Sequence, residues 1–393
     1  MKILLHDYSG HPFQVQLSRE LARRGHRVLH VFSASFQTPK ANLRRLADDP
    51  PGLTIEAVTL SESFDKYSFV KRRRQEIETG RLVGEKIRSF RPDVVISSNA
   101  PLDAQRQIMR NARAVDARFV FWLQDLYSEA LGSILPRKFP VLGHLVAAFY
   151  RWLEFDMLRK SDQVIAITGD FVAKLADNGV SRSRIAVIEN WAPLDGVVTG
   201  ERDNPWAKAH MSGPGLRIVY SGTLGYKHNP SLLIQMAREL DGHVYVFSEG
   251  EVARKLAESA RTEGVTNLSV SGWVPFEDLS KMLSAADIVV ALLQPDAGGF
   301  SVPSKVLTYL CAGRPIVAVI PEGNLARKII LEAEAGAVSS PGEVNQLVAQ
   351  ARELAGDPAL RRRMGANGRA YALKHFDIRT IGDSFERVLT VSS

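Results

Sequence analysis

"LRIVYSGTLGYKHNPSLLIQMARELDGHVYVFS", residues 216–248, reads as a strand, a turn rich in small residues, a helix and a second strand. "LRIVYS" is an apolar run suited to a strand covered on both faces. "GTLGYKHNP" breaks it, "SLLIQMAREL" has the length and content of a helix, and "HVYVFS" returns to strand. A strand that follows its neighbour through a helix runs parallel to it. The same order opens the chain. "KILL" leads through "HDYSGHP" into a helix carrying Val15, Leu17 and Leu21, which Gly25 stops before "RVLHVF". That first turn holds one glycine, Gly10, and lacks the G-x-G-x-x-G dinucleotide fingerprint.

Outward from these two units the rhythm continues. "LTIEAV", "DVVIS", "RFVFWL", "DQVIAIT" and "IAVIE" follow in the first half, and "NLSVSG", "DIVVALL" and "PIVAVI" in the second. Apolar runs separated by helix-length segments predict an α/β fold with parallel sheets covered on both faces. Residues 191–213, "WAPLDGVVTGERDNPWAKAHMSG", interrupt the alternation with glycine, proline and polar residues, as a linker does. At 393 residues the chain exceeds one ordinary core. The expectation is two tandem doubly wound, Rossmann-like domains at 1–190 and 214–376, a linker at 191–213, and a helix at 377–393 packing back on the first domain.

Composition narrows the function. The lone Cys311 excludes an internal disulfide framework and reads as a core filler beside Leu307 and Leu310. "MKILLHDYSG" has too short an apolar run for a secretory signal, and the uncharged "FPVLGHLVAAFY" is well short of the ~20 residues that span a bilayer. Residues 1–190 hold 29 Lys and Arg against 21 Asp and Glu, whereas 191–393 are near neutral. A basic first half implies an anionic surface as its partner. Two segments interleave cations with apolar side chains in the manner of an interfacial segment: "FDKYSFVKRRRQEI", residues 64–77, and "LPRKFPVLGHLVAAFYRWLEFDMLRK", residues 135–160. For the second, a helix buried between sheet and surface is the alternative.

In open parallel sheets ligands bind beyond the carboxyl ends of the strands, so the turns after strands hold the candidate residues. Ser221, Gly222, Thr223 and Lys227 fill one such turn. Lys305 sits in the first turn of a helix that Pro303 starts and Gly313 ends, with no acid nearby. The positive end of a helix dipole disfavours a cation, so an anion is expected there. Lys227 and Lys305 together could neutralise a diphosphate. Asp125 and Glu129 lie past "RFVFWL", where a carboxylate could activate an acceptor hydroxyl; helix capping by Asp125 is the alternative. His6 and His11 flank the first turn and could reach an acceptor or phosphate, or be ordinary hydrogen-bond partners. No D-x-D pair, H-E-x-x-H, cysteine pair, G-x-S-x-G or P-loop motif occurs.

"LSRELARRGHRVLHVF", "VIAITGDFVAKLADNGVSRSRIAVIENW", "NLSVSGWVPFEDLSKMLSAADIVVALL" and "DPALRRRMGANGRAYALKHFD" appear in the order in which similar segments occur in retaining glycosyltransferases of the GT-B fold, family 4. "FSVPSKVLTYLCAGRP" and "WLQDLYSEA" resemble the branch that builds colanic acid, O-antigen and related polysaccharides. The resemblance implies a nucleotide-sugar donor (UDP- or GDP-sugar) held by the C-terminal domain, no cofactor and no metal. It implies an acceptor held by the N-terminal domain, a lipid-linked saccharide, and a hexosyl or N-acetylhexosaminyl group transferred with retention. By the same resemblance Lys227 matches the diphosphate lysine, Gly10 approaches the donor phosphates, and Gly272, Trp273 and Val274 hold the base. Ser221, Gly222, Thr223, Glu249, Ser304, Lys305 and Thr308 complete the donor set, with His11, Asn99, Asp125 and Glu129 on the acceptor side. Asp125, Lys227 and Lys305 are the candidate catalytic residues. Two family glutamates fall at Phe300 and Thr308, and a family histidine at Gln124, so all three are absent.

The expected protein is a cytoplasmic glycosyltransferase, peripheral at the inner face of the membrane. A nucleotide-sugar 2-epimerase, or a donor-binding scaffold without catalysis, are the rival readings; nucleic-acid binding rests on "KRRR" alone.

Overall fold

The computed structural model describes residues 1–36, 40, 43–65, 68–98, 100–225, 228–294 and 302–390. These form two compact units, one of residues 1–190 with 378–393, the other of residues 191–377.

The first unit is built on seven strands: β1 (Lys2–Asp7), β2 (Arg27–Ser33), β3 (Leu53–Val58), β4 (Val94–Ser98), β5 (Arg118–Leu123), β6 (Gln163–Ala166) and β7 (Ile185–Val187). All seven were legible as apolar runs. They pair in parallel in the order β3-β2-β1-β4-β5-β6-β7, with Ile3 opposite Val28 on one side and Val94 on the other. Both faces are covered, so Ile3, Leu4, Leu5, Val95, Phe119 and Phe121 are fully buried whichever way they point. The order reverses between β1 and β4, which places the switch point of this sheet beside the turn after β1. The helix Ile378–Thr390 completes the unit. Phe385 meets Trp122 edge-on at 4.9 Å between centroids, and Arg24 bonds Asp383, Glu386 and the Arg379 carbonyl.

The second unit has six parallel strands: β8 (Leu216–Ser221), β9 (Gly242–Phe247), β10 (Leu268–Ser271), β11 (Ile288–Leu292), β12 (Ile316–Val319) and β13 (Gly336–Ser339). Their order is β10-β9-β8-β11-β12-β13, so its switch lies between β8 and β11. Five were expected. The sixth, β13, is the four-residue edge strand "GAVS", too short and too small to stand out by hydropathy. Its glycine is required: a Cβ on Gly336 would lie 2.0 Å from the Ile316 carbonyl oxygen.

Residues 191–213 pack into this unit, although their composition suggested a linker. Trp191, Ala192, Val197, Ala207 and Met211 are buried there. Asn204 caps a short helix, Pro205–His210, by accepting from the Ala207 amide at 3.0 Å.

Three aspartates at strand entries hold register in the same way. Asp93, Asp162 and Asp287, each just before β4, β6 or β11, accept the backbone N–H of Lys2, Phe119 and Arg217 at 2.7, 2.7 and 2.8 Å. Each also donates its own N–H to the carbonyl of that same residue, closing a two-bond clasp between neighbouring strands.

Candidate functional site

The second unit gathers its candidate residues at the carboxyl edge of its sheet. Ser221 ends β8, and Gly222 follows with φ +111°, a left-handed conformation that favours glycine. The helix Lys305–Ala312 starts across the β8/β11 switch from them. Tyr309 of that helix is buried, and its hydroxyl accepts the Ser221 N–H at 3.1 Å, pinning the helix to the end of β8. Ser304 occupies the cap position without a side-chain cap, and no acid lies in the first turn.

Lys305 Nζ lies 3.6 Å from the centroid of the Tyr220 ring, and a Cβ on Gly222 would sit 3.7 Å from it. An aromatic face therefore offsets part of the helix field that disfavours this lysine. The sequence points to an anion there and carries no sign of Tyr220, because the contact joins two distant segments.

Other members of the set follow on the same edge. Glu249, past β9, accepts the Trp273 N–H at 3.2 Å, and a Cβ on Gly272 would meet its Oε1 at 3.0 Å. Thus Glu249, Gly272 and Trp273 form one contact group past β9 and β10, and Val274 continues it, partly buried. Thr223 is exposed and Thr308 is partly buried on the Lys305 helix. A cavity lined by His228, Asn229, Leu292, Gln294, Val319 and Gly342 opens past β11–β13. The turn amides after β8 are already engaged: Gly222 donates to Phe247 O, Leu224 to Ser248 Oγ and Gly225 to His228 Nδ1. Lys227 and Phe300 lie outside the described residues.

In the first unit the turn after β1 is organised by Asp7. Its buried carboxylate accepts the N–H groups of Ser9, Gly10 and His11 at 3.1, 2.8 and 2.6 Å, ahead of the helix Pro12–Arg23. Gly10, at φ +81°, makes the turn possible, yet its amide is held by Asp7. Burial works against the Asp7 anion, but the His11 and His30 side chains and the Gly10 amide more than offset it, and its pKa falls below the usual value. His6 is not placed to meet a ligand. It is fully buried, bonded through Nδ1 to Ser97 Oγ at 3.1 Å, and burial lowers its pKa to about 4. His11 is 43 % exposed, with Nδ1 3.5 Å from Asp7.

Past β5, Asp125 is partly buried. It does not cap the next helix, Tyr127–Lys138, whose cap position is Leu126 without a side-chain bond. The capping carboxylate comes instead from Glu154, on the helix Leu142–Lys160. Fully buried, it accepts the Tyr127 and Ser128 N–H groups at 2.9 and 3.1 Å and the Ser128 hydroxyl. Burial raises its pKa to about 7 despite those bonds. The one signal for it was an acid inside the apolar "RWLEFDML". Glu129 is paired with Lys174 at 2.6 Å. Asn99 lies outside the described residues.

The helices Tyr127–Lys138 and Leu142–Lys160 form a hairpin with an apolar exterior. Ile134, Phe139, Val141, Leu142, Leu145, Phe149 and Trp152 are between 40 and 79 % exposed. Leu142, Leu145, Phe149 and Trp152 form one stripe, while Ala147, Tyr150, Leu153, Glu154 and Met157 are buried on the other side. The alternative of a helix buried between sheet and surface therefore fails for the outer face. In the basic run before it, most of the charge is spent within the unit. Lys71 pairs with Glu62 at 2.9 Å, Arg72 with Glu76 at 2.7 Å and Arg73 with Asp103 at 3.1 Å. Among the described residues no helix is long and apolar enough to cross a membrane.

Comparisons with known proteins agree with this architecture. Residues 11–191 match the "Glycosyl transferase 4-like domain" family and residues 207–371 the "Glycosyl transferases group 1" family. A curated relative, "Probable glycosyltransferase WbjE" of Pseudomonas aeruginosa, is 23 % identical over 253 residues, which span 63 % of this chain and 62 % of that protein. Among solved structures, the sucrose-phosphate synthase of Thermosynechococcus elongatus aligns with a TM-score of 0.74 at 14 % identity over 99 % of this chain and 98 % of its own. HepE of Anabaena, solved with UDP and glucose, aligns at 0.70 with 16 % identity over 99 % of both chains. WaaG, described as a glycosyltransferase of lipopolysaccharide biosynthesis, aligns at 0.70 with 17 % identity over 99 % of this chain and all of its own. Both units thus carry glycosyltransferase domain signatures on the Rossmann-like sheets of the GT-B fold.

Proposed function

We propose that this chain, with a glycosyltransferase domain in each half, is a glycosyltransferase of bacterial surface-polysaccharide assembly. It moves a hexosyl or N-acetylhexosaminyl group from a UDP- or GDP-sugar to a lipid-linked saccharide, undecaprenyl-diphosphate-sugar. The transfer proceeds with retention and without a metal, at the inner face of the cytoplasmic membrane. The observation that carries the donor site is the Lys305 ammonium beside Gly222, at the sheet switch where parallel α/β units bind ligands.

In the reaction the bond between the anomeric carbon and the diphosphate oxygen breaks, and the nucleoside diphosphate leaves with growing negative charge. Lys305 and Lys227 stabilise that charge, as does the N-terminus of the Lys305 helix. Ser304 and Thr308 offer hydroxyls to the same region, and Glu249 with Gly272–Val274 forms the wall for the base. On the acceptor side, Asp125, partly buried past β5, is the candidate general base, and Glu129 is paired with Lys174. The apolar hairpin supports the lipid-linked acceptor and the membrane surface, because it leaves an exposed apolar stripe on the basic unit.

The test is a screen of UDP- and GDP-sugars by calorimetry, then transfer to undecaprenyl-diphosphate-sugar followed by nucleoside diphosphate release and product NMR. Transfer with an unchanged anomeric configuration, insensitive to EDTA, is expected. Conversion of the donor itself to its 2-epimer would replace this reading with the epimerase. Donor binding without turnover would leave the scaffold.

A further inference from the structure

We propose that the helix Leu142–Lys160 transmits lipid contact to the acceptor turn of its own unit, with Glu154 and Tyr150 as positioning residues; this rests on the membrane reading above. The helix has two working faces. Outward, Leu142, Leu145, Phe149 and Trp152 form the exposed stripe, and Arg151 and Arg159 stand exposed along and beyond it, with Lys160 paired to Asp156 at 2.8 Å. Apolar side chains with adjacent cations on a unit of excess positive charge fit an anionic bilayer surface.

Inward, the same helix grips two turns at the carboxyl edge of the first sheet. Glu154 accepts the first two amides of the helix that begins directly after Asp125 and Leu126. Tyr150, one helical turn earlier, donates its hydroxyl to Asp103 Oδ2 at 2.6 Å. Asp103 lies in the first turn of the helix Leu102–Arg113, after β4, and also receives Arg73. The two helices of the hairpin cannot slide freely past one another. Gly143 is packed so closely that a Cβ would lie 2.3 Å from the Leu135 carbonyl oxygen. A shift of the helix under its outer face therefore reaches the turn after Asp125, through the Tyr127 and Ser128 amides, and Asp103 through its carboxylate.

Glu154 is a charged side chain inside an otherwise apolar core, and its oxygens cap the helix Tyr127–Lys138. A buried carboxylate is costly unless its hydrogen bonds are used, and here they are spent on the turn that carries Asp125. The face that carries Glu154 and Tyr150 thus lies against the acceptor side, and the exposed apolar stripe points away from it.

Hydrogen–deuterium exchange on the full chain tests the coupling, with and without vesicles of phosphatidylglycerol and phosphatidylcholine, and flotation measures binding in parallel. In the wild type, vesicles slow exchange severalfold both at the hairpin tip, residues 134–146, and at the acceptor turn, residues 124–132. Glu154→Ala floats equally and keeps the slowing at the tip but loses it at the turn, and Glu154→Gln restores part of it through its remaining oxygen. Tyr150→Phe, which removes the hydroxyl that Asp103 accepts, serves if Glu154→Ala does not fold: vesicles slow exchange at residues 101–106 in the wild type and not in this variant. Flotation of the wild type with unchanged exchange at 124–132 overturns the coupling while leaving the membrane reading intact. Failure to float overturns both. Equal slowing at the turn in wild type and Glu154→Ala shows direct shielding by lipid and also overturns it.

Discussion

Lys305 stands where the helix field opposes it, and Tyr220 lies beneath it as a neutral aromatic support. An aromatic face attracts the cation without neutralising its charge. A diphosphate then gains a charge-assisted contact of about 1.5–3 kcal/mol. Lys305→Ala should therefore weaken UDP or GDP binding roughly 10- to 100-fold. Isothermal titration of the nucleotide diphosphate against both proteins checks this, and an unchanged dissociation constant removes Lys305 from the phosphate site. Tyr220→Leu should weaken binding less, because it alters the support and leaves the charge. The residues legible in sequence here were those fixed by local rules: glycine at a positive φ, proline opening a helix, lysine in a first turn. Tyr220 under Lys305, Asp7 on the Gly10 amide and Glu154 on Tyr127 were not legible, because each contact joins segments far apart in the chain.

At the scale of elements, the strands were readable because a parallel sheet buried on both faces writes its strands as continuous apolar runs. β13 escaped for the converse reason, being short, small and at an edge. Segment 191–213 misled because its glycines and prolines suit a linker, while its few apolar residues are all that packing needed. The aspartate clasps give the strand entries a mechanism. In Asp162→Ala the Phe119 N–H loses its acceptor at the start of a central strand. An orphaned amide of this kind costs about 1–3 kcal/mol. Urea denaturation of the variant should show that loss. Asp287 should cost more on the same substitution, because it also takes two bonds from Arg202 at 2.9 and 2.8 Å. Equal losses in the two variants would mean that the backbone clasp alone matters.

For the molecule as a whole, acid and surface are the two levers. His6 and His30 are fully buried, and burial lowers both to about 4. Unfolded histidine binds a proton near pH 6.5, so their contribution is complete above that pH and is lost as pH falls toward 4. Glu154, raised to about 7, acts oppositely, adding stability as pH falls from 7 to about 4.5. Each group spans about 3 kcal/mol, and two outweigh one. The first unit should therefore lose stability, by about 2 kcal/mol, between pH 7 and pH 4.5, and Glu154→Gln should steepen that loss; urea midpoints at the two pH values decide it. Surface attachment divides along a different line. The "KRRR" run suggested that its charges bind the membrane, but Arg72 and Arg73 are held by Glu76 and Asp103. Neutralising them should lower the stability of the unit while leaving vesicle binding within about twofold, since paired charges contribute little to a distant surface. Leu145 and Trp152 are 65 and 53 % exposed, and the Trp152 ring packs on Phe149 of the same exposed stripe. Each apolar side chain buried in a bilayer is worth about 1.5–3 kcal/mol. Leu145→Asp with Trp152→Asp should therefore reduce flotation on phosphatidylglycerol vesicles more than tenfold without shifting the urea midpoint. If Arg72→Gln with Arg73→Gln releases the protein and the apolar pair does not, the charge run and not the hairpin is the membrane face.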